Sequence, residues 1–167
     1  MLIYDPTVDP YHCAIRVLAI TGGSSSELPL DAVRIADFYL AYPSKITNIR
    51  LLSHQRGIRK TSQSLSTPYR NPLEAKSTFE RMRPIFHAAT SCLVAAGFLD
   101  AEKLKIGVIT RGPSALPEDL VVAVTNFLKR HSSVREFVIR ELTTIPLLGS
   151  NGLKDRTGLM EYRYDPT

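Results

Sequence analysis

Apolar positions recur at helical spacing in several separate runs along this chain, each bounded by turn residues. Behind Asp9-Pro10, which reads as a helix cap followed by proline at the first helical position, Tyr11, Ala14, Ile15 and Leu18 share a face until Gly22-Gly23 ends the run. After the Ser24-Ser25-Ser26 loop, a second helix is expected from about Leu30 to Pro43, with Val33, Ile35, Ala36, Phe38, Tyr39 and Leu40 in a broad apolar stripe. Asp31, Arg34 and Asp37 read as its polar face. Ser44 is placed to cap a short third helix through Leu52, and the chain from Ser53 to Asn71 is polar with few apolar anchors, which reads as a mobile loop. Asn71-Pro72 repeats the cap-and-proline signature, and helical periodicity then continues to Ala96, with Gly97 as the stop. Pro84 divides that stretch into two helices, since an interior proline removes a backbone hydrogen bond and clashes with the preceding turn.

Beyond Gly97 the pattern changes period. Phe98-Leu99 and the alternating segment Leu104 to Thr110 predict a short strand pair, and a helix followed by such a pair is a winged-helix pattern. Pro117 opens a helix to about Lys129, and Ser132 or Ser133 caps another to about Leu142. The segment Gly149 to Tyr164 reads as a glycine-punctuated loop around Lys154, Asp155 and Arg156, then an alternating strand from Leu159 that would pair with the wing or with an edge near Leu2-Ile3-Tyr4. The expected fold class is therefore mainly α with a small β component (α+β): one winged-helix-like domain over residues 1–167, with additional helices and a C-terminal strand. Tyr4-Asp5-Pro6-Thr7 recurs as Tyr164-Asp165-Pro166-Thr167 without shared periodicity in the flanks, and reads as two Asp-Pro turns.

Composition adds limits. At 167 residues and 44% hydrophobic the chain can bury one sizeable core. No apolar run reaches the roughly 18 residues of a membrane span and no basic-then-apolar leader is seen, so a cytoplasmic protein is expected. Charge is unevenly placed. The net charge is +5, yet between Asp37 and Glu74 there is no acidic residue, while Lys45, Arg50, Arg56, Arg59, Lys60 and Arg70 all fall in the gap. These six are the candidate DNA contacts, because cations among serines, threonines and glutamines can track a phosphate backbone without reading bases.

Candidate chemistry is sparse. The histidines, His12, His54, His87 and His131, belong to no zinc or metalloprotease spacing. His87, between Phe86 and Ala88, reads as an interior or boundary residue. Adjacent His12 and Cys13 would point about 100° apart on a helix and make a poor nucleophile and base. Cys13 and Cys92 read as small buried hydrophobes. The glycines of the last segment suggest a phosphate cradle, but neither phosphate-loop spacing is present. No catalytic residue, cofactor or metal site is expected.

Three stretches resemble a known family. Tyr4-Asp5-Pro6 leading into Asp9-Pro10-Tyr11-His12-Cys13-Ala14-Ile15-Arg16-Val17-Leu18, then Asp31 to Pro43, and finally Gly152-Leu153-Lys154-Asp155-Arg156-Thr157-Gly158-Leu159 to Tyr164 are similar to the middle component of bacterial ABC-three-component systems. The resemblance implies an accessory, non-enzymatic winged-helix protein. Its implied partners are an SMC-like ABC ATPase and an effector, often a nuclease, in anti-phage and anti-plasmid defence of the Lamassu-like kind, with double-stranded DNA reached through the complex. Lys154, Asp155 and Arg156 are the candidate partner contacts. The alternative reading is a free-standing winged-helix transcription regulator that reads its operator with the helix Pro84 to Ala96, where His87, Thr90 and Ser91 are the main base-reading candidates.

Overall fold

The computed structural model describes residues 5–66 and 74–162. Expectations that fall on Leu2-Ile3-Tyr4, Arg70, Asn71-Pro72 and the second Tyr-Asp-Pro-Thr copy lie outside the described residues. The first copy forms a short 3-10 turn, Pro6–Val8, in which the Asp5 carboxylate accepts from the Thr7 amide at 3.0 Å.

Helix α1, Pro10–Gly23, begins as its sequence requires: the Asp9 carboxylate accepts from the Tyr11 amide at 2.8 Å and Pro10 occupies the first turn. From Cys13 to Thr21 every residue except Ala14 is buried. A helix apolar on all sides belongs at the centre of the fold, and α1 packs against α2 (Leu30–Ala41), α5 (Arg83–Ala95) and α7 (Glu118–Lys129). Helix α2 is just as enclosed, with Ala32 through Leu40 buried. The polar face expected for α2 is not there: Arg34 and Asp37 are inside, because each finds charged or aromatic partners on neighbouring helices.

The segment after α2 is more structured than its composition suggests. Pro43–Asn48 is a 3-10 turn rather than a helix through Leu52, held by buried Ile46 and Ile49. A second short turn, Ser53–Gln55, leads into α3, Gly57–Gln63, where a loop was expected. The Gln55 side chain accepts from the Leu52 amide at 3.2 Å and donates to Glu141 Oε2 at 3.3 Å. Ile58 and Leu65 pack on the core and the small Ser62 is fully buried, which lets α3 lie close to the preceding turn.

Helices α4 (Ala75–Arg81) and α5 divide at Met82, as Pro84 requires. Gly97 stops α5 with φ +76, its amide donating to Val94 O at 2.9 Å and the Phe98 amide to Leu93 O at 2.8 Å. The strand pair expected after it takes another form. Leu104 lies in helix α6, Ala101–Lys105, capped by the Asp100 carboxylate on the Lys103 amide at 2.9 Å. Strand β2, Val108–Ile109, pairs antiparallel with β1, Leu28–Pro29, far away in sequence, and Leu99 meets Arg111 in an isolated bridge. The molecule is thus mainly α with a small two-stranded antiparallel sheet.

Helix α7 runs as expected. Helix α8, Ser132–Glu136, is preceded by His131 at φ 50 instead of a serine cap, and continues through a π-helical turn, Phe137–Glu141, and a 3-10 turn, Leu142–Thr144. The last segment also departs from expectation. Leu153–Thr157 is a helix, α9, and Leu159 to Tyr162 form no strand. Alternation misleads here because Leu153 and Leu159, six apart, are the residues that reach the core, at 0% and 1% exposure. Gly152 stands where a side chain would collide with the Leu148 carbonyl, so the loop can fold tightly into α9.

Candidate interaction surface

Helix α3 turns part of the basic stretch into a surface. Arg56 is already helical in conformation, so Arg56, Arg59 and Lys60 stand at i, i+3 and i+4 on one side, and all three are exposed. Arg59 donates to the Ile49 carbonyl at 2.8 Å, which fixes its direction. Among the described residues, Arg56 and Lys60 have no carboxylate within ion-pair distance. Lys45 is half-buried in the 3-10 turn and belongs to a different surface element.

Arg50 has another task. It joins the Lys154-Asp155-Arg156 segment, so two groups of residues that the sequence presents separately meet in one clasp. The Arg50 guanidinium pairs with the Asp155 carboxylate and donates to the Asp155 carbonyl at 2.8 Å. In return Arg156 donates to the Arg50 carbonyl at 2.7 Å, and the Arg50 amide donates to the Arg156 carbonyl at 3.1 Å. Asp155 also accepts from the Asn151 amide at 3.0 Å. That bond first, and the Arg50 contact after it, hold the Asp155 carboxyl below the usual carboxylate range. The last segment is therefore a clasp, as its sequence suggested, but on the chain after α2, not on a wing. No sequence signal links positions 50 and 155; only the local Asn151-Gly152 turn was readable.

Inside the fold lies a second pair. Arg16 Nε donates to Asp37 Oδ1 at 2.6 Å, with side chains 4% and 2% exposed, and the Cys13 thiol donates to Asp37 Oδ2 at 3.6 Å. Burial pulls the Arg16 pKa down, but the charge and hydrogen bond of Asp37 outweigh it and leave it above the ordinary value. Burial, then the Asp37 charge, push the Cys13 thiol up, so it stays protonated and is a poor nucleophile. Cys92, read from sequence as buried, is exposed, and so is His87.

The rival recognition helix loses one of its three candidates. Thr90 is buried and its hydroxyl donates to the Phe86 carbonyl at 2.9 Å, which leaves His87 and Ser91 exposed on α5. A second cationic run, Lys129, Arg130, His131 and Arg135, is hidden in the sequence because Ser132, Ser133 and Val134 and the helix boundary divide it.

Among the described residues no group of three histidine, cysteine or acidic side chains could hold a metal ion, and no helix is long and apolar enough to cross a membrane. The family model described as ABC-three component (ABC-3C) system Middle Component 5 matches residues 2–165. The chain belongs to this family. The match to Middle Component 5 takes in the α1 and α2 core, the basic helix α3 and the Arg50 clasp together, so the resemblance seen in three stretches extends over the intervening chain. Comparison with curated proteins and with solved structures finds no match.

Proposed function

We propose that this middle component is a non-catalytic, winged-helix-like accessory subunit that joins an SMC-like ABC ATPase to an effector in Lamassu-like defence, and that it touches double-stranded DNA within that complex. The observation that carries the reading is the family match across residues 2–165. The burial and protonation of the Cys13 thiol support the non-catalytic part, and the Leu99 to Arg111 bridge after α5 supports the winged-helix-like part. The exposed face of Arg56, Arg59 and Lys60 supports backbone contact with DNA. Asp155 and Arg156 hold the clasp, so a partner reaching this surface meets Arg50 and α9 as one unit.

Coexpression with the neighbouring genes tests the proposal. A stable complex with the ATPase and effector is expected, and its Arg56→Glu, Lys60→Glu variant should assemble normally while binding duplex DNA more weakly, to a similar degree for every sequence, and with a flatter salt dependence. Failure to copurify would sink the accessory reading, and unchanged DNA affinity and salt slope would sink the DNA part alone. The transcription-regulator alternative predicts instead tight, sequence-specific binding of the isolated protein to its own promoter, for which α5 offers, after Arg83, His87 and Ser91 as exposed base-reading candidates.

A further inference from the structure

A cleft of about 610 Å³ opens between α1, the turn after α2, the end of α3, and the α7 to α8 junction. Among the described residues its lining holds three arginines, Arg16, Arg130 and Arg135, and two histidines, His12 and His131, but no carboxylate. Arg16 is neutralised from behind by Asp37. Arg130 and Arg135 have no carboxylate within ion-pair distance among the described residues.

Arg135 is the more telling of the two. Its guanidinium lies over the Phe127 ring, 3.6 Å from the centroid, and Nη1 is buried with no hydrogen-bond acceptor. An arginine held this way by cation-π stacking has its direction fixed while a donor goes unused. Burial first, and then the like charges of Arg130 and Arg16, pull its pKa down to about 10. Each of these conditions is relieved by an anion in the cleft.

The chemistry of that anion follows from the lining. Two uncompensated guanidinium groups whose charges repel across a shared space match a compact dianion better than a single carboxylate, and their planar forks suit phosphate oxygens. Ser44 and Asn126 add neutral donors, while Leu40, Leu65 and Phe127 supply apolar wall for the remainder of a ligand. The volume falls within the range of small-molecule sites. We propose that this cleft binds a small phosphorylated molecule, with its phosphate held by Arg130 and Arg135 and its body against Leu40, Leu65 and Phe127.

Calorimetric titration of the full chain with inorganic pyrophosphate, ribose 5-phosphate, ATP and a hexaglutamate peptide tests the site. At least one phosphorylated probe should bind with one-to-one stoichiometry and raise the melting temperature. Its affinity should fall about tenfold or more in Arg130→Gln and again in Arg135→Gln, as expected for loss of a charge-assisted hydrogen bond. Arg130 is exposed, so its variant should keep the fold even where Arg135→Gln does not. The proposal is overturned by the absence of binding for all three phosphorylated probes, by tighter binding of hexaglutamate, which would make the cleft a seat for an acidic peptide, or by affinities unchanged in Arg130→Gln. Complex assembly is a separate readout, so loss of this site leaves the accessory-subunit reading standing.

Discussion

Two arginine-carboxylate pairs hold this molecule together, and they illustrate opposite regimes of the same interaction. Arg16 and Asp37 meet between α1 and α2 with almost no solvent access, whereas the Arg50 side chain that meets Asp155 is 60% exposed. In the interior, attraction is strong because the dielectric is low, but it must repay the removal of both charges from water. At the surface neither the cost nor the gain is large, and salt screens what remains. The inner pair therefore matters most when it is broken in half. The outer pair matters because it is embedded in a set of backbone hydrogen bonds that position α9.

The largest effect should come from Asp37→Asn. The substitution keeps the shape and leaves Arg16 charged, buried and without its counter-charge, for an expected loss of about 3–5 kcal/mol measured by urea denaturation. Against a total of about 5–15 kcal/mol for a typical domain, that is enough to threaten folding. The double variant Arg16→Met, Asp37→Leu should recover most of the loss, since replacing both charges with apolar groups removes the desolvation cost as well as the attraction. A single variant as stable as the parent would show that water reaches the pair and that the two regimes do not differ.

What could be read in the sequence divides along the same line. Helix α1 was legible at both ends, because Asp9-Pro10 and Gly22-Gly23 are local signals whose physics does not depend on the rest of the fold. The pairing of Arg16 with Asp37 was not, because Asp37 completes a plausible polar face with Asp31 and Arg34 unless one knows that α1 lies against it. Helix α3 was hidden by its thin apolar content, Ile58 alone with Leu65 just beyond its end, and by a buried serine that composition counts as loop-forming. At α6 a local signal competes with the strand pattern: Asp100 is a helix N-cap with Glu102 in the first turn, and it outweighs the alternation of Leu104 and Ile106. At the basic stretch the sequence showed the charge but not its division, with Arg56, Arg59 and Lys60 on one helical face and Arg50 turned to the clasp.

A smaller effect is expected at the outer pair. Arg50→Ala and Asp155→Ala should each lower stability by a fraction of the Asp37→Asn loss, and a double-mutant cycle should give a coupling that shrinks in high salt. The contrasting change is Leu153→Ala, which removes a fully buried side chain from the same helix and should cost about 2–5 kcal/mol whatever the salt concentration. A coupling between Arg50 and Asp155 that survives high salt would place this pair with the buried one.

The last and smallest effect is a dependence on pH. Asp155 is held below its ordinary pKa by the Asn151 amide and then by Arg50, so its charged form is favoured more in the folded state than in the unfolded one. The unfolded chain takes up this proton first as pH falls, near the ordinary aspartate value of about 3.9. The stabilisation Asp155 provides is thus complete above that value and disappears as pH drops through the lower folded-state pKa. Denaturation midpoints of the parent and of Asp155→Asn, followed from neutral pH downward, should run parallel until about pH 4 and then converge as the parent loses what the variant never had. Curves that stay parallel into the acid range would mean that Asp155 gains nothing from folding, and would leave the attachment of α9 to Leu153, Leu159 and the backbone bonds between Arg50 and Arg156.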